Sequence, residues 1–132
     1  MLHCIIEIRS ATASFRNPEF QNFHKSFHLP PPTTLIGLAG AALGLSPMAA
    51  QNFFNSNSVR AGITGKANGM SRDLWKYNTL PGSSVITREI YFDTHYWTAF
   101  GCQESKIIHQ LKNAFENPVY ALTMGTSDSL AK

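Results

Sequence analysis

The stretch that most restricts the fold is residues 15–45, FRNPEFQNFHKSFHLPPPTTLIGLAGAALGL. At its centre Pro30, Pro31 and Pro32 hold the backbone extended, because a proline ring fixes its own φ and disfavours the helical region in the residue before it. Directly after them Leu35, Leu38, Ala39, Ala42 and Leu43 recur at helical spacing, which predicts a helix over 34–45 capped by Thr33 or Thr34. Gly37, Gly40 and Gly44 each cost that helix about 1 kcal/mol relative to alanine. Such a helix is tolerated where something approaches its backbone closely, and the expectation is a helix packed flat on a sheet. Ser46 and Pro47 end it. The apolar run 35–50 is about 16 residues, short of the roughly 20 a membrane span needs, so it reads as a buried helix.

Around this helix the pattern alternates between strand and helix. Residues 2–9 place Leu2, Cys4, Ile6 and Ile8 on one face of a strand. Residues 10–27 lack a period and read as a long ordered loop. A short helical turn is expected over 48–54, a second strand over 59–64 and a third over 85–100. In that third strand Ile86, Arg88, Ile90, Phe92, Tyr96 and Phe100 share one face, and Thr87, Glu89, Tyr91, Asp93, His95 and Trp97 the other. A helix capped near Ser105 carries Ile107, Ile108, Leu111, Ala114 and Phe115 as its buried stripe, and Asn117-Pro118 stops it. The last strand is expected at 119–125. The order β-α-β-β-α-β is that of an α+β, ferredoxin-like or RRM-like domain filling 1–132, with helices on one sheet face and the other face open.

Residues 66–84 do not fit a minimal version of that order. They join two sequence-adjacent strands with about nineteen residues, where a hairpin needs two to five. Within them Lys66, Arg72, Trp75, Lys76 and Tyr77 interleave cations with rings, the combination that single-stranded RNA requires for its phosphates and unstacked bases. Leu74 and Trp75 tucked into the core is the competing reading. A second candidate surface is 15–25, where Phe15, Phe20 and Phe23 alternate with Arg16, His24 and Lys25. Those rings could equally serve only to seal the loop to the sheet.

Composition narrows the class. Only 14% of residues are charged, against roughly 25% in an average soluble domain, which points to a subunit with part of its surface covered by partners. The net charge of +3 is too small to identify a nucleic-acid binder by itself. Cys4 and Cys102 form no metal or disulfide pattern and read as core thiols of a cytoplasmic protein. The N-terminus, MLHCIIEIRS, lacks the apolar core of a signal peptide.

Enzymatic motifs are incomplete. GITGKANG has Arg60 and Ala67 where a P-loop needs glycine and Ser/Thr, and Gly37 and Gly40 do not complete a dinucleotide fingerprint. His24 and His28 have zinc-ligand spacing, but Lys25 stands where a metalloprotease has glutamate. No metal or cofactor is expected. Metal-free RNA cleavage needs a base and an acid beside the 2′-OH, for which the five histidines and several lysines are raw material without a pattern.

FRNPEF, HLPPPTTLIGLAGAALGL, RDLWKYN and ENPVYALTMGTSDSLA occur in the order found in CRISPR-associated RAMP proteins of family five, and the chain resembles the subtype I-B-like branch. The resemblance implies a subunit of type I Cascade that caps the 5′ handle of the guide RNA (crRNA). It implies contacts with the adjacent backbone subunit and the large subunit, and with target DNA only through the complex. The 66–84 segment would be a thumb folded over the RNA, with Arg72, Trp75, Lys76 and Tyr77 at its base. Arg16, His24, Lys25, Lys66 and Arg88 complete the expected RNA-binding set. Members of the family are usually longer, so a C-terminal region is expected beyond the last strand. The subunit is expected to be non-catalytic, the alternative being a metal-independent endoribonuclease processing precursor crRNA; the Tyr, Lys and His used in subtype I-C do not map onto this chain by motif.

Overall fold

The computed structural model describes residues 1–20, 22–79 and 82–132, with side chains described throughout these except at 75, 77–79, 83 and 84. Its elements are β1 (Leu2–Ala13), β2 (Phe23–His24), α1 (Pro32–Leu43), α2 (Pro47–Ser56), β3 (Arg60–Thr79), β4 (Gly82–Cys102) and α3 (Ser105–Glu116).

β4 is the centre of the sheet. β1 pairs antiparallel along one edge, from Leu2↔Cys102 to Ala13↔Tyr91. β3 pairs antiparallel along the other, from Arg60↔Gly101 to Thr79↔Gly82. Because β3 occupies that whole edge, β2 lies on the β1 edge, past the end of β1, with Phe23↔Thr87 and His24↔Arg88 in parallel. The helices cover one face. Ile8, Tyr96, Phe100 and Cys102 project into a core with Leu35 and Leu38 of α1, Phe54 of α2 and Ile108 and Leu111 of α3. The other face is open, as the ferredoxin-like order predicts.

The helices follow local chemistry with three departures. α1 begins at Pro32, one of the favoured first helical positions for proline, and Pro31 rather than a threonine is its cap; the Thr34 and Leu35 amides donate to Pro31 O. Its glycines serve another helix more than the sheet. A Cβ on Gly40 would come within 2.7 Å of Ala50 Cβ in α2, whereas Gly37 has nothing within 4 Å. Gly44 closes α1 in the left-handed region at φ 79°. α2 is longer than the expected turn and is capped by Ser46 Oγ, 3.2 Å from the Ala49 amide. Among the described residues no single helix is long and apolar enough to cross a membrane, and α1 and α2 meet at 103°.

The strand expected at 119–125 does not form. After Asn117-Pro118 the Val119 and Tyr120 amides donate to Ala42 O and Ala41 O at the C-terminus of α1, where Ala41 O also accepts from the Gly44 amide. Pairing with the free edge of β1 comes later, where Arg9 and Lys132 exchange both backbone hydrogen bonds at 2.7 and 2.8 Å.

The 66–84 segment also differs from its expected form. It is not an insertion between finished strands but the outer part of the strands themselves, 20 residues in β3 and 21 in β4, so the connection is only 80–81, which lies outside the described residues. Its sequence lacks an apolar alternation because much of it is a two-stranded ribbon with solvent on both faces.

Candidate nucleic-acid interface

The loop after β1 is pinned at several points. Phe15 is buried and meets Tyr96 edge to face at 6.0 Å. Its amide donates to Ser26 Oγ, and the Phe27 amide donates back to Phe15 O. Ser14 Oγ donates to Glu89 O at 2.7 Å, and the Asn17 amide to Lys25 O at 2.7 Å. The loop therefore doubles back on itself with Phe15 as its anchor. Arg16 and Lys25 are left on the outside.

The aromatics divide the two roles proposed for them. Phe15 seals the loop, while Phe20 and Phe23 support cations: Lys25 Nζ lies 5.2 Å from the Phe20 centroid and Arg72 Cζ lies 5.3 Å from that of Phe23. Docking of β2 against β4 thus gathers Arg16, His24, Lys25 and Arg72 at one end of the sheet. Burial, and then the positive charges of Arg16 and Arg88, hold the His24 pKa below the ordinary imidazole value.

Arg88 has a different part. Its side chain is only 3% exposed, with Nη2 2.6 Å from Asp73 Oδ2 and 3.4 Å from Asp128 Oδ2, and Nε 2.9 Å from Asp73 Oδ1. The Asp73 fork, opposing the cost of burial, holds the guanidinium in its charged form. Sequence reasoning placed Arg88 among RNA contacts; buried and spoken for by two carboxylates, it ties β4 to β3 and to the C-terminal turn instead.

The remaining expected residues spread along the hairpin. Lys76 is exposed on β3, farther out than Arg72. Tyr77 and Trp75 lie in the same strand, but their side chains are outside the described residues. Among the described residues the ribbon past the β2 pairing at Thr87 has no strand neighbour but its own partner, and Leu74 and Val85 stand 73% and 59% exposed. A bare two-stranded ribbon is marginal in water. Lys66 is apart from this group, about 20 Å back from Arg72 at 3.4 Å per residue.

Lys66 borders two depressions. One, of 430 Å³, is lined also by His28 and Tyr91, whose Nδ1 and OH are 3.0 Å apart. Burial first, then Glu89, raises the Tyr91 pKa. The other, of 270 Å³, lies on the open sheet face beside His95 and Asp93. There sequence reasoning missed a cluster: His95 and Trp97 stack at 3.8 Å, and His95 Nε2 is 2.7 Å from Glu7 Oε1, which also accepts from Arg9. The alternation of the third strand put both rings on its polar face, but only the register reveals what stands beside them. Asp93 sits at φ 51° in the middle of β4 and accepts a hydrogen bond from Asn68. The pairing lapses at Asp93 and resumes in unchanged register on both edges. Among the described residues no group of three or more His, Cys, Asp or Glu could hold a metal ion.

Comparisons with known proteins agree with this architecture. The family described as CRISPR-associated protein (Cas_Cas5) matches residues 5–132. Among solved structures, one titled "Crystal structure of Cas protein" matches at TM-score 0.65 and 15% identity, over 96% of this chain and 57% of that one. A chain of a "CRISPR RNA-guided surveillance complex" matches at TM-score 0.69 and 15% identity, over 95% and 58%. A functionally uncharacterized protein from Streptococcus mutans matches at TM-score 0.55 and 14% identity, over 98% and 64%. The chain thus spans less than two thirds of the length of each. No curated protein matches it. At these identities the solved structures speak for the fold alone, and it is the family match over nearly the whole chain, on an α+β ferredoxin-like body, that makes this chain a member of the CRISPR-associated Cas5 family.

Proposed function

We propose that the chain is a non-catalytic, cytoplasmic RNA-binding subunit of a type I CRISPR Cascade complex, gripping the 5′ handle of the crRNA. The observation that carries this reading is the convergence of two sequence-distant segments: Arg16, His24 and Lys25 from the loop and Arg72 from the hairpin, two of the cations resting on phenylalanine rings. Cations at fixed spacing suit a phosphate backbone, and neighbouring rings suit unstacked bases. The projecting ribbon, with Lys76 outward and Leu74 and Val85 exposed, suits a shared cover of RNA and the adjacent backbone subunit. The large subunit would dock nearby, and target DNA would be read by the guide through base pairing. Family membership and the likeness to a chain of an RNA-guided surveillance complex support the same assignment.

The test is fluorescence anisotropy of the chain with a repeat-derived 5′-handle RNA across a salt series. Arg16→Ala, Lys25→Ala and Arg72→Ala should each weaken binding and lower the salt slope by about 0.7 for each phosphate no longer neutralised. Unchanged affinity and slope in all three would overturn the reading.

A second reading, a metal-independent endoribonuclease acting on precursor crRNA, draws on the Tyr91–His28 hydrogen bond in a depression that Lys66 also lines. Those are a phenol, an imidazole and an ammonium, which are residue types able to move the 2′-OH and leaving-group protons. Incubation with precursor repeat RNA in EDTA separates the two: a specific cut near the handle, lost in His28→Ala and Tyr91→Phe, would replace the binding role with a catalytic one.

A further inference from the structure

On the helix-free face the three long strands set their side chains in cross-strand rows. Arg9, His95 and Lys66 stand opposite one another in one row, and Glu7, Trp97 and Thr64 in the next. Trp97 is 39% exposed on the central strand of the sheet, a place where an indole gains nothing from the core. It is not loose. His95 stacks on it at 3.8 Å with 33° between the planes, and Glu7 fixes the imidazole from β1 while taking two hydrogen bonds from Arg9. Hydrogen bonds from His95, then Arg9, hold the Glu7 carboxyl below its usual range, so the anchor is ionised at neutral pH. The 270 Å³ depression opens at the His95 end of this ring pair, with Arg9 and Lys66 on its flanks and Asn68 and Asp93 in its lining. Lys66 makes no ion pair among the described residues.

We infer that this face is a second RNA contact, in which one unstacked base of a single-stranded segment extends the Trp97–His95 stack into the depression and Arg9 and Lys66 take the flanking phosphates. The inference rests on the RNA-binding reading above but uses none of its residues except Lys66. Three observations select a nucleotide over an apolar partner. The rings already lie against each other, tilted by 33°, and are held by a charged anchor. The depression beside them is lined by two cations and by amide and carboxylate oxygens able to accept from a base edge. The row beyond Trp97 carries Gly62 and Ala99, small residues that leave the platform approachable from the β3 side, with Ile5 exposed at the β1 edge. Glu7 acts as a positioning residue for the ring pair, and the base contacts are the rings themselves.

Fluorescein-labelled decaadenylate, titrated by anisotropy across salt, tests this. Trp97→Ala and His95→Ala should each weaken binding about 5- to 150-fold with the salt slope kept, as expected when one base no longer stacks. Trp97→Phe should retain most of the affinity, and Lys66→Ala should instead lower the slope by about 0.7. Crosslinking of the unaltered chain to decaadenylate by ultraviolet light, mapped by mass spectrometry, should yield adducts at 95–97 and does not depend on any variant folding. The inference falls if Trp97→Ala binds like wild type while Arg16→Ala and Lys25→Ala still weaken handle RNA, an outcome that leaves the proposed function standing. It falls equally if adducts are confined to 15–25 and 70–79, or if Trp97→Ala abolishes self-association without touching RNA affinity, which would make the face a protein contact. Failure of all variants, in both sets, to alter RNA binding overturns the proposed function along with it.

Discussion

Replacing Arg88 by alanine separates a structural cation from an RNA ligand. The guanidinium is 3% exposed and its fork meets Asp73 at 2.6 and 2.9 Å, with Asp128 at 3.4 and 3.5 Å. Hydrogen bonds to a charged partner contribute about 1.5–3 kcal/mol each, and breaking a fully buried pair costs about 3–5 kcal/mol. Here the carboxylates are 39% and 47% exposed, so on losing Arg88 they regain water, which brings the expected cost to about 2–3 kcal/mol. For a chain of this size that corresponds to a fall in Tm of about 10 °C. Arg88→Lys keeps the charge but loses the planar fork, and should cost about half as much. A double-mutant cycle with Asp73→Ala should show that the two single losses do not add. Thermal melts read the stability, and anisotropy with handle RNA, at a temperature where every variant is folded, reads binding. The reasoning is refuted if Arg88→Ala melts within about 2 °C of wild type, a shift below roughly 1 kcal/mol, or if it destroys RNA binding while leaving stability intact.

Other consequences can be checked as directly. Gly37→Ala, with open space at its Cβ and a helical backbone, should stabilise by about 0.5–1 kcal/mol, whereas Gly40→Ala in the same helix should destabilise, because its methyl would drive into Ala50; chemical denaturation of both variants decides this. Desolvation raises the Asp128 pKa, but hydrogen bonds from Thr126 and Arg88 outweigh it and leave the carboxyl below its ordinary 3.8. Its contribution to stability is therefore complete above that value and is lost as pH falls through the lower folded one, and Arg88→Ala should shrink this acid limb in pH-dependent melts. His24, with its folded pKa depressed, acts in the opposite sense on binding: an RNA phosphate beside it favours the protonated ring, so handle affinity should rise as pH falls below 6.5. His24→Gln should remove that increment, and an affinity flat with pH in the wild-type chain would exclude a phosphate contact by protonated His24.

What could be read without coordinates was whatever depends on neighbours in the chain. The stripe of Leu35, Leu38, Ala39 and Ala42 and that of Ile107, Ile108 and Leu111 gave two helices their place and their buried sides, because i, i+3 and i+4 residues share a face wherever the helix lies. The alternation of Tyr96 and Phe100 against His95 and Trp97 showed in the same way which side of the central strand meets the core, but only beyond Asp93. Phe92, expected with Tyr96, is exposed and Tyr91, expected opposite, is buried, because Asp93 at φ 51° interrupts the pleat. The cationic aromatic segments were legible as composition, and so were Arg16, Lys25 and Arg72 as candidates. Three things required the folded chain. The outer hairpin carries no apolar period because both its faces meet solvent, so its strand character comes from pairing between β3 and β4 rather than from either sequence alone. Val119 and Tyr120 have strand-like side chains, yet their amides go to the open end of α1, a competitor set by packing. Arg88 alternates with the apolar residues of its strand, and only the approach of Asp73, 15 residues away, and Asp128, 40 residues away, makes it a strut. The ring pair on the open face follows the same logic: Glu7 and His95 are 88 residues apart, and strand register, a property of the sheet and not of any segment, puts them within 2.7 Å.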